Sequence, residues 1–244
     1  MTFQTIILQR QPAMPRPAMY LAETAQDALS TYAAGSEIYG QGELAGPLYA
    51  VEFGCVRIGR LTLEGKRQVC GFSFIGDVFG WESGREHRFF AEAVGVTGIR
   101  LLRPNRDAQA AAKLFPLVVE SLTRFQEHLL VLGKTIVDER LAAFLCDLAS
   151  RQANGARVEL PMARNDIADY LGVSFETVSR ILRRFRDQGL IRVPDIHSIE
   201  ILDRAALEAI CGREADSPPG GTSRINDFPV HSDEQTARSE RRSK

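Results

Sequence analysis

Residues 164–190 read RNDIADYLGVSFETVSRILRRFRDQGL, and this stretch decides the fold. From Arg164 to Leu171 the apolar residues Ile167, Ala168 and Leu171 share one helical face, and Gly172 then offers the positive φ that a tight turn demands. Ser174 is placed to cap a second helix. In that helix Val178, Ile181, Leu182 and Phe185 recur at helical spacing, while Glu176, Ser179, Arg180, Arg183 and Arg184 fall on other faces. One side packs, and the other is free to read something.

Small Ala168, turn Gly172 and β-branched Val178 let two helices cross closely at a steep angle, as in a DNA-binding helix-turn-helix. The same spacing would also suit a helical hairpin in a core. Between Ser174 and Arg192, however, five arginines stand against two acids, a charge that a core hairpin cannot use.

The rest of the chain sets this stretch in a two-domain protein. Its 244 residues are long enough for two cores, and 30 Lys+Arg against 31 Asp+Glu leave it nearly neutral. Nucleic-acid affinity must therefore come from a local patch. No apolar run approaches membrane-spanning length, and the opening MTFQTIILQRQPAMPRP has neither a charged leader nor a cleavage site, so a cytoplasmic protein is expected. Cys55, Cys70, Cys146 and Cys211 are scattered without a CxxC pair, which argues against zinc or an iron-sulfur cluster. Cys146, between Leu145 and Leu148, reads as a buried small hydrophobe. There is no nucleophile-base pairing, phosphate loop or metal spacing, so an enzyme is not expected.

Residues 1–18 form an arm rich in Gln, Pro and Ala, followed by a short helical pattern, AETAQDALS. From Gly35 to Leu102 short β-branched and aromatic runs alternate with glycines, predicting an antiparallel barrel or jelly roll whose clearest hairpin surrounds Leu63, Glu64, Gly65 and Lys66. Helical periodicity follows. Asn105 can cap a short helix, and Pro116 suits a first turn, so the chain is expected to restart there. Val118, Leu122, Phe125, Leu129, Leu132 and Ile136 then form a heptad seam; an amphipathic helix lying on the barrel would explain part of it, but its strictness predicts contact with a second subunit. Thr135 and Asp138 resemble a capping box, placing a new helix and the hinge at about residues 133–137. Val158–Leu160 reads as a short strand. The runs LIRV and IEIL around Pro194–Ser198 read as a hairpin or wing, a last helix spans about Arg204 to Cys211, and the polar segment from Glu214 is expected to be disordered. The expected class is thus α+β: an arm (1–18), a barrel (19–106), a linker and dimerisation helix (107–134), a winged helix-turn-helix (135–213) and a tail (214–244).

That order of parts resembles the Crp-Fnr family of bacterial transcription regulators over about residues 18–213. The most specific match is SFETVSR, residues 174–180, whose Glu-x-x-Ser-Arg core looks like the Fnr and FixK side of the family. The Crp side carries an arginine in place of Phe175 and a glycine in place of Ser179. FETVSR, LPMARNDIADYLG and GKRQVCGFSFIGDVFG together are most similar to FixK-type proteins. The resemblance implies a homodimer that binds a TTGA-type inverted repeat, works with RNA polymerase, usually activates, and controls low-oxygen or nitrogen metabolism genes.

The chemistry of the match follows from the residues. Arg180 can give a bidentate pair to guanine, Glu176 can accept from N4 of the paired cytosine, and Ser179 can reach a neighbouring base edge. Ser174, Thr177 and Arg164 sit at helix N-termini suited to phosphate, and Arg183 and Arg184 add charge for the backbone. Glu176 and Arg180 are also spaced for an i,i+4 ion pair.

Three departures shape the expectation for ligands. The family's cyclic-nucleotide pocket uses a glutamate after the GDxxG glycine and an adjacent Arg-Ser pair; those places hold Trp81, His87 and Arg88, with Glu82 displaced by one residue. Arg88 reads as a strand residue pairing with Glu92 or solvent. Cyclic nucleotide is therefore not expected. No cysteine precedes Cys55, so the N-terminal cluster of Fnr proper is not expected either. Ala163 stands where the family commonly has a capping Thr, Ser or Cys, a loss of roughly 1 kcal/mol. A second reading is a gas or redox sensor in which His87 or His128 ligates haem, although a helix-surface histidine is more often a solvated or interface residue.

Overall fold

The computed structural model describes residues 29–103, 108–152 and 156–212. In the first half, β1 (Leu29–Tyr32), β2 (Glu37–Tyr39), β3 (Leu48–Phe53), β4 (Cys55–Leu61), β5 (Arg67–Phe74), β6 (Val78–Phe79), β7 (Phe90–Ala93) and β8 (Thr97–Leu102) form two four-stranded antiparallel sheets. Their orders are β1-β8-β3-β6 and β2-β7-β4-β5. Facing side chains fill the space between them, with Val51, Val56, Ala91 and Ile99 almost wholly buried. This is the expected jelly roll. Gly54 joins β3 to β4 at φ 86°, where a Cβ would come within 2.6 Å of Thr97 Oγ1. The hairpin at residues 62–66 closes by a bond from Thr62 N–H to the Lys66 carbonyl, 2.9 Å.

One expectation fails at the entrance. Leu29 and Ser30, read as the end of a helix, open β1 instead, because pairing with Arg100 and Ile99 of β8 satisfies their backbone and the segment alternates in exposure. The remainder of AETAQDALS, the arm, Asn105 and the tail lie outside the described residues.

The second correction is Pro116. Rather than restarting there, α1 runs unbroken from Ala108 to Gly133 with Pro116 inside it. Proline within a helix removes one hydrogen bond and costs about 3 kcal/mol. Leu114 and Leu117, on either side, pack against Leu48, Val78, Leu102 and Trp81 of the barrel. Burying two leucines returns roughly 2 kcal/mol each, enough to hold the helix continuous.

After a break at residues 134–136, within the expected hinge, α2 (Val137–Gln152) is the central helix of the second half. Around it stand β9 (Arg157–Glu159), α3 (Arg164–Leu171), α4 (Phe175–Asp187), β10 (Ile191–Asp195), β11 (Ser198–Ile201) and α5 (Arg204–Ile210). The sheet order β10-β11-β9 makes the wing. Cys146 is buried, as read, and burial pushes its thiol up to about 12. Among the described residues no helix is long and apolar enough to cross a membrane.

Candidate nucleic-acid interface

The turn between α3 and α4 is built as the sequence suggests. Gly172 adopts φ 66° and returns its N–H to the Ala168 carbonyl, while Ala163 makes no side-chain cap. Ser174 Oγ accepts from Thr177 N–H at 3.2 Å and lies 3.1 Å from Thr177 Oγ1, so both hydroxyls tie down the start of α4. Val178, Ile181, Leu182 and Phe185 are buried, and this anchoring holds the opposite face of α4 outward.

That outward face carries Glu176, Arg180, Arg183 and Arg184. Glu176 and Arg180 form no ion pair despite their spacing, and Arg164, Arg180 and Arg183 make no ion pair or hydrogen bond among the described residues. Glu176's own backbone N–H and the Ser174 hydroxyl hold its carboxyl below the usual range, so it stands as a carboxylate ready to accept. Two predicted residues are placed differently from the rest. Arg184 is paired with Asp138 of α2. Ser179 Oγ is buried without a partner, so reaching a base edge requires a χ1 change. Of the other cations nearby, Arg186 pairs with Asp187 and Arg192 with Glu200 across the wing, each at a side-chain separation within 2.9 Å.

Helix α1 divides its residues between two faces. Leu114, Leu117, Arg124, His128 and Val131 turn toward the barrel and the second half. Val118, Leu122, Phe125 and Leu129 are left 40%, 54%, 52% and 51% exposed in the single chain, with Leu132 half-buried. These are the predicted seam residues, and an apolar stripe of this kind seeks a partner.

A cavity of about 430 Å³ opens between the barrel, α1 and α2, lined in part by Trp81, Glu82, Arg124, Lys134 and Arg151. Its three cationic side chains are engaged: Arg124 and Arg151 both reach Asp77 at 2.5 Å, and Lys134 Nζ donates to the Cys211 carbonyl at 2.6 Å. Arg88 lies in the bend before β7 rather than on a strand, and Glu92 pairs with Arg57 instead, because Arg57 is its direct cross-strand neighbour. Both histidines considered as haem ligands are buried rather than at the surface. His87 stacks on Tyr39 at 3.7 Å, and His128 stacks on Tyr170 at 3.8 Å with Nε2 3.1 Å from the Tyr170 carbonyl.

The sequence reading missed the second face of α3, where Asp166, Asp169 and Tyr170 meet the barrel. Their spacing of three and four was visible, but their partners lie about a hundred residues away and nothing local marks them.

A jelly roll, a long helix with an exposed apolar stripe and a winged helix-turn-helix with an exposed cationic face define a DNA-binding regulator. Residues 139–210 match the Crp-like helix-turn-helix domain. The chain is 43% identical over 183 residues to the nitrogen fixation regulation protein FixK of Rhizobium meliloti (strain 1021), a match covering 75% of this chain and 87% of that one. It is 40% identical over 209 residues to the FixK of Azorhizobium caulinodans, covering 80% and 83%. The structure of FixK2 from Bradyrhizobium japonicum matches at a TM-score of 0.72 and 37% identity, covering 78% of this chain and 99% of that one. The chain therefore belongs to the Crp-Fnr family of transcription regulators, and within it to the FixK type.

Proposed function

We propose that this regulator binds a TTGA-type inverted repeat as a homodimer and activates genes of low-oxygen or nitrogen metabolism together with RNA polymerase. The observation that carries the reading is the pair on α4: Glu176 and Arg180 are exposed one turn apart and form no ion pair with each other, a carboxylate suited to cytosine N4 beside a guanidinium suited to guanine. Arg164, Ser174, Thr177 and Arg183 surround them as phosphate contacts, Arg184 joins on release from Asp138, and Ser179 on rotation. The open seam of α1 at Val118, Leu122, Phe125, Leu129 and Leu132 supports the dimer. The protein works without cyclic nucleotide, haem or an iron-sulfur cluster. The engaged cations of the cavity and the occupied His128 ring support that part, and a visible absorption spectrum of the purified protein tests haem directly.

Binding-site selection with purified protein and random duplexes tests the whole reading. Recovery of an inverted repeat with a TTGA-like half-site is expected. Recovery of unrelated or single sites overturns it.

A further inference from the structure

Ile167, Ala168 and Leu171 of α3 pack into the helix-turn-helix core, whereas Asp166, Asp169 and Tyr170 stand on another face. Asp166, only 4% exposed, accepts from Arg57 Nη1 of β4 at 2.6 Å and from Arg67 Nη2 of β5 at 2.8 Å. Asp169 accepts from the same Arg67, through Nε at 3.1 Å and Nη2 at 2.8 Å. Arg57 is aimed by Glu92, the residue opposite it on β7. Beside these pairs Tyr170 is held between Phe72 of β5 at 5.4 Å, Phe144 of α2 at 5.5 Å and the stacked ring of His128.

Guanidinium-carboxylate pairs are directional, and two of them on one short helix resist rotation as well as separation. A buried carboxylate is costly to leave alone, so Asp166 does not exchange its arginines freely for water. The clasp covers none of the reading face: Glu176, Arg180 and Arg183 stay exposed while it is closed. It orients the head without masking it. The covalent link is a non-helical break at residues 134–136, so no continuous helix carries the direction of α1 into α2. Two heads on a dimer must reach major grooves about one turn, roughly 34 Å, apart, so their angle decides which spacings fit.

We propose that Arg57, Arg67, Asp166 and Asp169 are positioning residues that fix the reading head on the barrel and thereby set the half-site spacing the dimer accepts. This rests on the two-fold DNA-binding reading above. The full chain is titrated with the selected inverted repeat, with the same repeat carrying one base pair more or fewer between half-sites, and with an isolated half-site. For Arg57→Gln with Arg67→Gln, affinity for the natural spacing should fall roughly tenfold. The isolated half-site should bind as in the wild type, and the preference for natural over altered spacing should collapse. Adding Asp166→Asn and Asp169→Asn removes the carboxylates stranded on α3 and should give the same collapse. Arg67→Lys keeps the charge, loses the fork, and should widen the accepted spacing by less. A wild-type spacing ratio in these variants overturns the proposal, as does an equal loss on every duplex including the isolated half-site. If the wild type itself fails to prefer inverted repeats over half-sites, the dimer reading is what has failed, and the clasp loses its role with it.

Discussion

Replacing Arg180 with alanine should erase the choice of base pair while leaving fold and assembly intact. Arg180 is exposed and has no partner among the described residues, so nothing in the free chain is lost with it, and alanine is at least as good a helix former. A bidentate contact to guanine discriminates by about 1–3 kcal/mol, and a two-fold dimer makes it twice. Discrimination between matched sites and sites altered at that G·C pair should therefore drop by roughly 2–6 kcal/mol, about 30-fold to more than 10,000-fold. Arg183→Ala supplies the contrast. As a phosphate contact it should weaken all duplexes alike and flatten the salt dependence by about 0.9 per half-site in log K against log salt. Arg184→Ala should do less, since Arg184 starts in an exposed pair with Asp138, and such pairs hold only about 0–1 kcal/mol. Fluorescence anisotropy titrations of the three variants on both sites at several salt concentrations separate these effects. If Arg180→Ala keeps the wild-type site preference, Arg180 is not the reader and the assignment of the reading face fails.

Leu122→Asp with Leu129→Asp should yield monomers by sedimentation, with little affinity for the inverted repeat; a dimer of normal affinity would remove the seam assignment. Cyclic AMP should leave operator affinity unchanged, because Arg124, Lys134 and Arg151 in the cavity are already engaged; a saturable several-fold gain on titration would defeat this. Burial holds the His128 ring below the usual imidazole value of about 6.5, against backbone hydrogen bonds to Tyr170 and Cys70 that raise it. The unfolded chain thus takes up the proton first, so this residue's contribution to stability is present above about pH 6.5 and is lost as pH falls toward the folded value. His128→Phe keeps a ring on Tyr170, and its Tm should fall less than the wild type's between about pH 7.5 and 5.5; equal falls would acquit His128.

Much of this architecture was legible because its signals are local. Gly172, the Ser174 cap and the periodicity of Val178, Ile181, Leu182 and Phe185 are each set within a turn or two of chain, and they placed α3 and the start of α4. The jelly roll was readable from turn spacing, although not the register of its sheets. The failures were cases in which a distant partner outweighed a local preference. Pro116 argued for a helix boundary, yet Leu114 and Leu117 found the barrel, and their burial outweighed the lost hydrogen bond. Leu29 and Ser30 argued for helix, yet β8 offered an edge.

Charged residues show the same limit more sharply, since a solvated acid and a buried one look identical in sequence. Asp166 and Asp169 on α3 would pass for the wet side of an amphipathic helix, and only the presence of Arg57 and Arg67 on the barrel makes them a contact surface. The seam of α1 is the converse case. Its heptad spacing is local and was legible, and Val118, Leu122, Phe125 and Leu129 are exposed in the single chain while Leu114, Leu117, His128 and Val131 pack on another face. In the proposed dimer the stripe left open on α1 and the clasp closed on α3 would act on the same quantity, the first setting where two heads stand and the second the direction in which each one points.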